Sequence, residues 1–212
     1  MSHSIFQPKW TKGSKAARFE QLKSFFKNKD ILDLGCAVGY QQEDWMHRKI
    51  VDVADSVYGL DMDEKAINKI ISLGFNVHLG DAQNFNLNKK FSLIHAGELI
   101  EHLENSGNMI KCAKEHLTED GLFLITTPNA LRISNFVYAS TGGLKVNTEH
   151  TCWFCEYTLS ALLNRYGFNV VKVDYLKHET FNFLRKGIRK IREHVLPQRV
   201  ASNTLVIVAQ LK

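Results

Sequence analysis

The chain of 212 residues is poor in everything that would mark a specialised class. Three prolines and 13 glycines exclude collagen-like and Pro/Gly-rich disordered chains. Four cysteines are too few for a disulfide framework, so a reducing compartment is the expectation. At this length roughly 70% of the unfolded surface can be buried without a covalent or metal staple. No run approaches the ~18 apolar residues of a spanning helix. The opening MSHSIFQPKW lacks the apolar centre of a secretion signal. A single domain over residues 1–212, working in the cytoplasm, is expected. Lys and Arg outnumber Asp and Glu by 27 to 22, a net charge of +5. That excess is too mild to demand a nucleic-acid partner, and no DNA is expected; it leans towards an anionic substrate or a membrane surface.

What is present is an alternation of short apolar runs with amphipathic stretches, the pattern of an α/β sheet. Ser14 is placed to cap a helix carrying Phe19, Leu22, Phe25 and Phe26 at helical spacing. Strands are expected at 30–35, 56–61, 75–79, 91–96, 122–127, 168–173 and 204–209. Between them, helices are expected from about Val38 to His47, after Asp63, and up to about Leu117. A further helix carries Leu159, Leu162, Leu163 and Tyr166, and Gly142-Gly143 is a hinge candidate.

The first strand ends in Asp33-Leu-Gly35-Cys36-Ala37-Val-Gly39-Tyr40. Glycines between strand and helix let backbone approach a ligand closely and aim helix N–H groups at it. A dinucleotide fingerprint would need glycine where Ala37 and Tyr40 stand, which disfavours a nicotinamide or flavin. Asp61 closes the second strand, where a carboxylate suits a ribose diol. Gly80-Asp81-Ala82 follows the third, where a short acid and a small neighbour suit an adenine ring.

Together these segments resemble the class I S-adenosylmethionine-dependent methyltransferases. Ile31 to Gly39, Tyr58-Gly-Leu-Asp61, Gly80-Asp-Ala82, Ala96 to Leu103 and Gly121 to Asn129 carry the resemblance. The nearest branch holds the ubiquinone-pathway and glycan-associated O-methyltransferases. The resemblance implies a Rossmann-like seven-stranded, mostly parallel sheet with helices on both faces and an antiparallel last strand. It implies a cofactor-binding core over 14–130, acceptor-side elements over 131–200 and a last strand over 201–212. It assigns Gly35, Cys36, Ala37 and Gly39 to the cofactor's methionine and sugar, and Asp33 to ordering that loop and the amino group. Asp61 would hold the ribose, Met62, Asp81 and Ala82 the adenine, and Ala96 and Gly97 the methionine moiety. Two departures stand out: Ala37 replaces the usual middle glycine, and Ser92 replaces a common Asp.

Glu98, Glu101 and His102 are spaced to share one face of a helix at the fourth strand's tip. Glu/Glu/His sets suit a divalent cation. The ubiquinone-pathway and small-RNA 3′-end methyltransferases resemble this arrangement and use a metal; the RNA enzymes add a distant His, a part open to His150. The metal candidates are therefore Glu98, Glu101, His102 and His150, with Mg2+ or Mn2+ as the ion. Without metal, His102 or His150 would serve as general base. Cys152-Trp-Phe-Cys155 has no second pair and reads as coincidental thiols, while Trp153 and Phe154 line an acceptor pocket or the core. The basic amphipathic stretch 181–195 is a surface helix, or a contact for an anionic membrane or a phosphorylated acceptor.

The expected activity is methylation of a small-molecule or glycan hydroxyl. The alternatives are an RNA 3′-end or N-methyltransferase, a cofactor-binding module without turnover, and a nucleic-acid-binding protein using the basic stretch.

Overall fold

A computed structural model describes residues 14–143, 146–176 and 195–212. Of the basic stretch 181–195, all but Val195 lies outside them. In chain order the elements are α1 (Ser14–Phe26), β1 (Asp30–Leu34), α2 (Met46–Val51), β2 (Ser56–Asp61), α3 (Glu64–Ser72), β3 (Val77–Leu79) and β4 (Phe91–Gly97). A 3-10 turn (Ile100–His102) leads to α4 (Ser106–His116), β5 (Leu117–Pro128), α5 (Ile133–Ser140), α6 (Glu156–Arg165) and β6 (Phe168–Leu176). A short α7 (Gln198–Ala201) precedes β7 (Thr204–Leu211).

The strands form one seven-stranded sheet in the order β3-β2-β1-β4-β5-β7-β6. β1 to β5 run parallel, and β7 runs antiparallel between β5 and β6. This is the Rossmann-like sheet expected from the sequence. Alternation along the strands splits the core in two. On one face Leu32, Leu34, Ile94, Ala96 and Ile125 pack with α4 and α6 through Met109, Ile110, Leu159 and Leu163. On the other, Ile31, Leu93, Leu124 and Val206 pack with Phe19, Leu22 and Phe26 of α1 and Ile50 of α2. α3 closes that second face at its end through Ala66, Ile67 and Ile70. Asp63 caps α3, its carboxylate accepting the Ala66 N–H at 3.0 Å.

Two helices differ from expectation. The stretch after Gly39 does not enter a helix until Met46. Gln41, Gln42 and Glu43 are exposed and offer no apolar stripe, so that stretch makes successive turns instead. The helical register begins beside Trp45, whose indole N–H donates to the Cys36 carbonyl at 2.7 Å. The Glu98–His102 stretch is likewise not the start of α4. Glu98 has φ +53°, and its N–H continues the ladder to the Thr126 carbonyl at 2.8 Å. A 3-10 turn follows, and α4 starts only where the Asn105 side chain accepts the Asn108 N–H at 3.1 Å. Ser92 bonds the backbone of Asp30, joining β4 to the first rung of β1.

Candidate active site

The carboxyl ends of β1, β2, β4 and β5 open into one cleft of about 680 Å3. In a parallel α/β sheet this is where ligands bind, because the strand order reverses about β1 and leaves a crevice. Gly35 takes φ +74° and Gly39 φ +83°, backbone that other residues adopt at a cost. Asp61 ties the glycine loop to β2: one oxygen accepts the Ala37 N–H at 2.9 Å, the other the Asp63 N–H at 3.0 Å. Ala37 is buried and packs in the small cluster with Cys36, Trp45 and α3. Its methyl group therefore occupies core space, which is why alanine is accepted where glycine is usual.

Gly35, Cys36, Asp61, Met62, Asp81 and Ala82 line the cleft as expected. Met62 is 76% exposed over it. Asp81 turns the chain with one oxygen, accepting the Gln83 N–H at 2.8 Å. Burial, then the charges of Asp33 and Asp61, push the Cys36 thiol far above its ordinary range, so it stays protonated. Ala37, Gly39 and Ala96 do not reach the cleft surface. Ala96 is fully buried in the α4 and α6 core, and its alternating neighbours His95 and Gly97 face the cleft in its place.

Asp33 is 3% exposed, and its two oxygens accept from His47 Nδ1 and His95 Nδ1, each at 2.7 Å. Burial works against the charged form, but these two hydrogen bonds outweigh it and hold the carboxyl down at about 2. The family's strand-one acid thus bonds two imidazoles while it also lines the cleft.

On the other side of the β4 tip, Glu101, His102 and His150 each offer a ligand atom within 4.8 Å of the others. The two rings are perpendicular, with centroids 4.7 Å apart. Glu101 is buried; one oxygen accepts from Thr127 at 2.9 Å and the other has no hydrogen-bond partner. Burial, then the nearby Glu98 charge, pushes its carboxyl up to about 8. Burial, then His102, pulls His150 below the usual histidine range, while Glu149 opposes. The Thr151 N–H donates to the Glu101 carbonyl at 2.8 Å and so anchors His150's segment to the 3-10 turn. Glu98 is not in this group: with no shared helix face, its left-handed backbone turns its carboxylate to Arg18 Nη2 at 3.6 Å. Trp153 lines the cleft and Phe154 joins the core, while the four cysteines are free.

Arg18, His47, His95 and Thr126 also line the cleft and were not singled out by sequence. The available signal was alternation: Asp33, His95 and Thr126 are polar residues in apolar strands, all on the α1 face.

A Rossmann-like sheet with a glycine turn, a carboxylate ending β2 and a cleft at the tips of β1, β2 and β4 is the frame of a nucleoside-binding protein. A family model described as a methyltransferase domain matches residues 11–173, and the chain belongs to that family. Among curated proteins, (S)-coclaurine N-methyltransferase of Papaver somniferum is 28% identical over 99 residues. That stretch is 45% of this chain but only 28% of the relative's length. A methyltransferase from Archaeoglobus fulgidus superposes with TM-score 0.65 at 19% identity, covering 92% of both chains. Magnesium protoporphyrin IX methyltransferase from Synechocystis PCC 6803, solved with bound S-adenosylhomocysteine, gives 0.65 at 14% identity over 98% of this chain and 91% of that one. N-methyltransferase NodS from Bradyrhizobium japonicum WM9 gives 0.60 at 14% over 94% and 97%. At these identities the solved structures establish a shared fold. Among the described residues, no helix is long and apolar enough to cross a membrane.

Proposed function

We propose that the chain methylates a hydroxyl of a small polar molecule or sugar, with His150 as general base and His102 beside it. The observation that carries this reading is the pair of imidazoles facing each other at the β4 tip. The cofactor supplies a methyl group on an electrophilic sulfonium, so the protein's task is placement and proton removal. Asp61 is at the sugar end, and Met62, Asp81 and Ala82 flank the base. Arg132, Tyr138, Glu149 and Trp153 line the same cleft and add aromatic and hydrogen-bonding surface suited to a hydroxylated acceptor. His150 Nδ1 is buried with no hydrogen-bond partner, and its lowered pKa keeps it unprotonated at neutral pH. It is ready to take the acceptor's proton as the methyl arrives.

Glu101, His102 and His150 also fit a divalent cation. The set is one carboxylate and two imidazoles, and the unpartnered Glu101 oxygen and His150 Nδ1 are the atoms a cation would satisfy. Mixed nitrogen and oxygen donors favour Mn2+ over Mg2+. Bound there, a cation would lower the acceptor oxygen's pKa. A second reading, transfer to an amine, is favoured by the N-methyltransferase among the curated relatives and by the Glu149 carboxylate lining the cleft. The cytoplasm is the proposed site of action.

The test is transfer of labelled methyl across sugars, catechols, amines and short RNAs, with and without chelator. His150→Ala is expected to lower kcat about 100-fold with S-adenosylhomocysteine affinity within twofold. Equal turnover by His102→Ala, His150→Ala and wild type overturns the base assignment. Transfer confined to amines replaces the hydroxyl reading with the second one.

A further inference from the structure

α5 presents its polar side to the protein and its apolar side to water. None of its eight residues is buried. Arg132, just before the helix, and Asn135 and Tyr138 on it line the cleft. Ile133, Phe136, Val137 and Ser140 follow the i, i+3, i+4, i+7 spacing of a different face. On that face Phe136 is 71% and Val137 50% exposed, and Leu131 at the entry to the helix is exposed as well. An apolar stripe on a surface helix ordinarily turns to the core. A lone exposed apolar residue is normal, but three on one short stretch mark a contact surface.

The outer end of α5 is also built to do without water. Ser140 Oγ donates to the Phe136 carbonyl at 2.9 Å, and Thr141 Oγ1 to the Val137 and Tyr138 carbonyls at 3.0 and 3.2 Å. The Gly142 N–H donates to the Ala139 carbonyl at 3.4 Å and the Gly143 N–H to that of Tyr138 at 2.9 Å. The carbonyls of Val137, Tyr138 and Ala139, which a helix end leaves to solvent, are thereby taken. Both hydroxyls turn back to the helix. Backbone satisfied within the chain is what an apolar phase demands.

Charge selects among the surfaces that could cover this face. No acidic residue stands between Asp120 and Glu149 in the sequence, whereas Arg132 and Lys145 do, and the whole chain carries +5. Size selects too. A helix of eight residues is about 12 Å long, too short to supply the ~800 Å2 that each partner buries in a stable protein interface. Shallow insertion of a few apolar side chains among lipids needs no such area.

We propose that α5 docks the protein on an anionic bilayer surface, with Phe136 and Val137 inserted below the headgroups and Leu131 beside them. The contact is peripheral. Because the other side of the helix carries Asn135 and Tyr138, docking holds one wall of the cleft at the headgroup layer.

The test is co-sedimentation of the full chain with vesicles of phosphatidylcholine, with and without phosphatidylglycerol. Wild type is expected to bind the vesicles that contain phosphatidylglycerol. Phe136→Ser is expected to weaken that binding about tenfold, and Val137→Ser in the same chain several-fold more. Both side chains are exposed, so the melting temperature is expected to stay at the wild-type value; Leu131→Ser serves if Phe136→Ser fails to fold. Phe136→Trp sets an indole at the centre of the face, and bromine-labelled acyl chains are expected to quench its emission beyond the wild-type level. Serine variants that bind as tightly as wild type, or Phe136→Trp without added quenching, overturn the proposal and leave the membrane contact to another part of the chain. Equal binding to phosphatidylcholine alone overturns the choice of an anionic surface. Wild type that binds neither vesicle overturns the proposal, and a dimer that Phe136→Ser splits would then make a second copy the occupant.

Discussion

Asp33→Asn isolates the buried carboxylate between two imidazoles. Asp33 accepts two N–H groups at 2.7 Å and is 3% exposed, so neither bond has water to fall back on. Asparagine offers one carbonyl and one N–H2. One ring keeps its partner; the other meets a donor and must move its proton to Nε2, which is buried in both rings without a partner. Leaving one such group unsatisfied costs about 1–3 kcal/mol, and loss of a charge-assisted bond adds to it. The depressed carboxyl gives an independent figure. Holding it at about 2 against the ordinary 3.8 corresponds to roughly 2–3 kcal/mol of stability at neutral pH. With the folded value the lower one, this contribution is present above the unfolded value and lost as pH falls through the folded one. A loss of about 3 kcal/mol lowers the melting temperature of a domain this size by about 6–12 °C. Melting by circular dichroism at pH 7 measures it, and the histidine ring nitrogens seen by NMR report which tautomer changes. Asp33→Asn melting within about 2 °C of wild type, with both Nδ1 protons retained, would refute the reasoning.

Asp61→Ala is expected to weaken S-adenosylhomocysteine and methylthioadenosine alike by about 30-fold or more. It removes the sugar's acceptor and frees the Ala37 N–H that fixes the glycine loop; calorimetry showing unchanged affinity for both would remove Asp61 from the ribose site. Glu101, pushed up to about 8 by burial and Glu98, gives stability that is whole below its unfolded value of 4.5 and lost as pH rises through 8. Between those values the unfolded chain releases a proton that the folded chain retains. Glu101→Gln keeps a partner for Thr127 and lacks this loss, so its melting temperature should gain on wild type by several degrees between pH 5 and pH 9. A difference that stays flat with pH counts against the buried, protonated carboxyl.

The sequence made the sheet legible because each strand carries its own evidence. Ile31-Leu-Asp-Leu and Leu122 to Thr127 are too apolar for an exposed segment, and turns or acids mark their ends. The adenosine end of the site was equally local: Gly35, Asp61 and Asp81 each close a strand, so topology alone delivers them to one crevice. What sequence spacing misjudged was the stretch from Glu98 to His102. An i, i+3, i+4 pattern suits a helix, yet Glu98 is left-handed and Asn105 starts the helix later. Glu101 and His102 still meet, but their third partner is His150, nearly fifty residues away and brought in by the Thr151 bond to the Glu101 carbonyl. The Asp33 pair was hidden for a related reason. His47 lies on α2 and His95 on β4, and nothing in either neighbourhood names the other. Only Gly97 leaves a trace. A glycine two residues after a histidine on an otherwise apolar strand is the space that the ring requires, and reading it needs the register that places Asp33 opposite. Contacts made along a strand or at its end are written in neighbouring residues; those made across strands and through a loop's carbonyl are written only in the register.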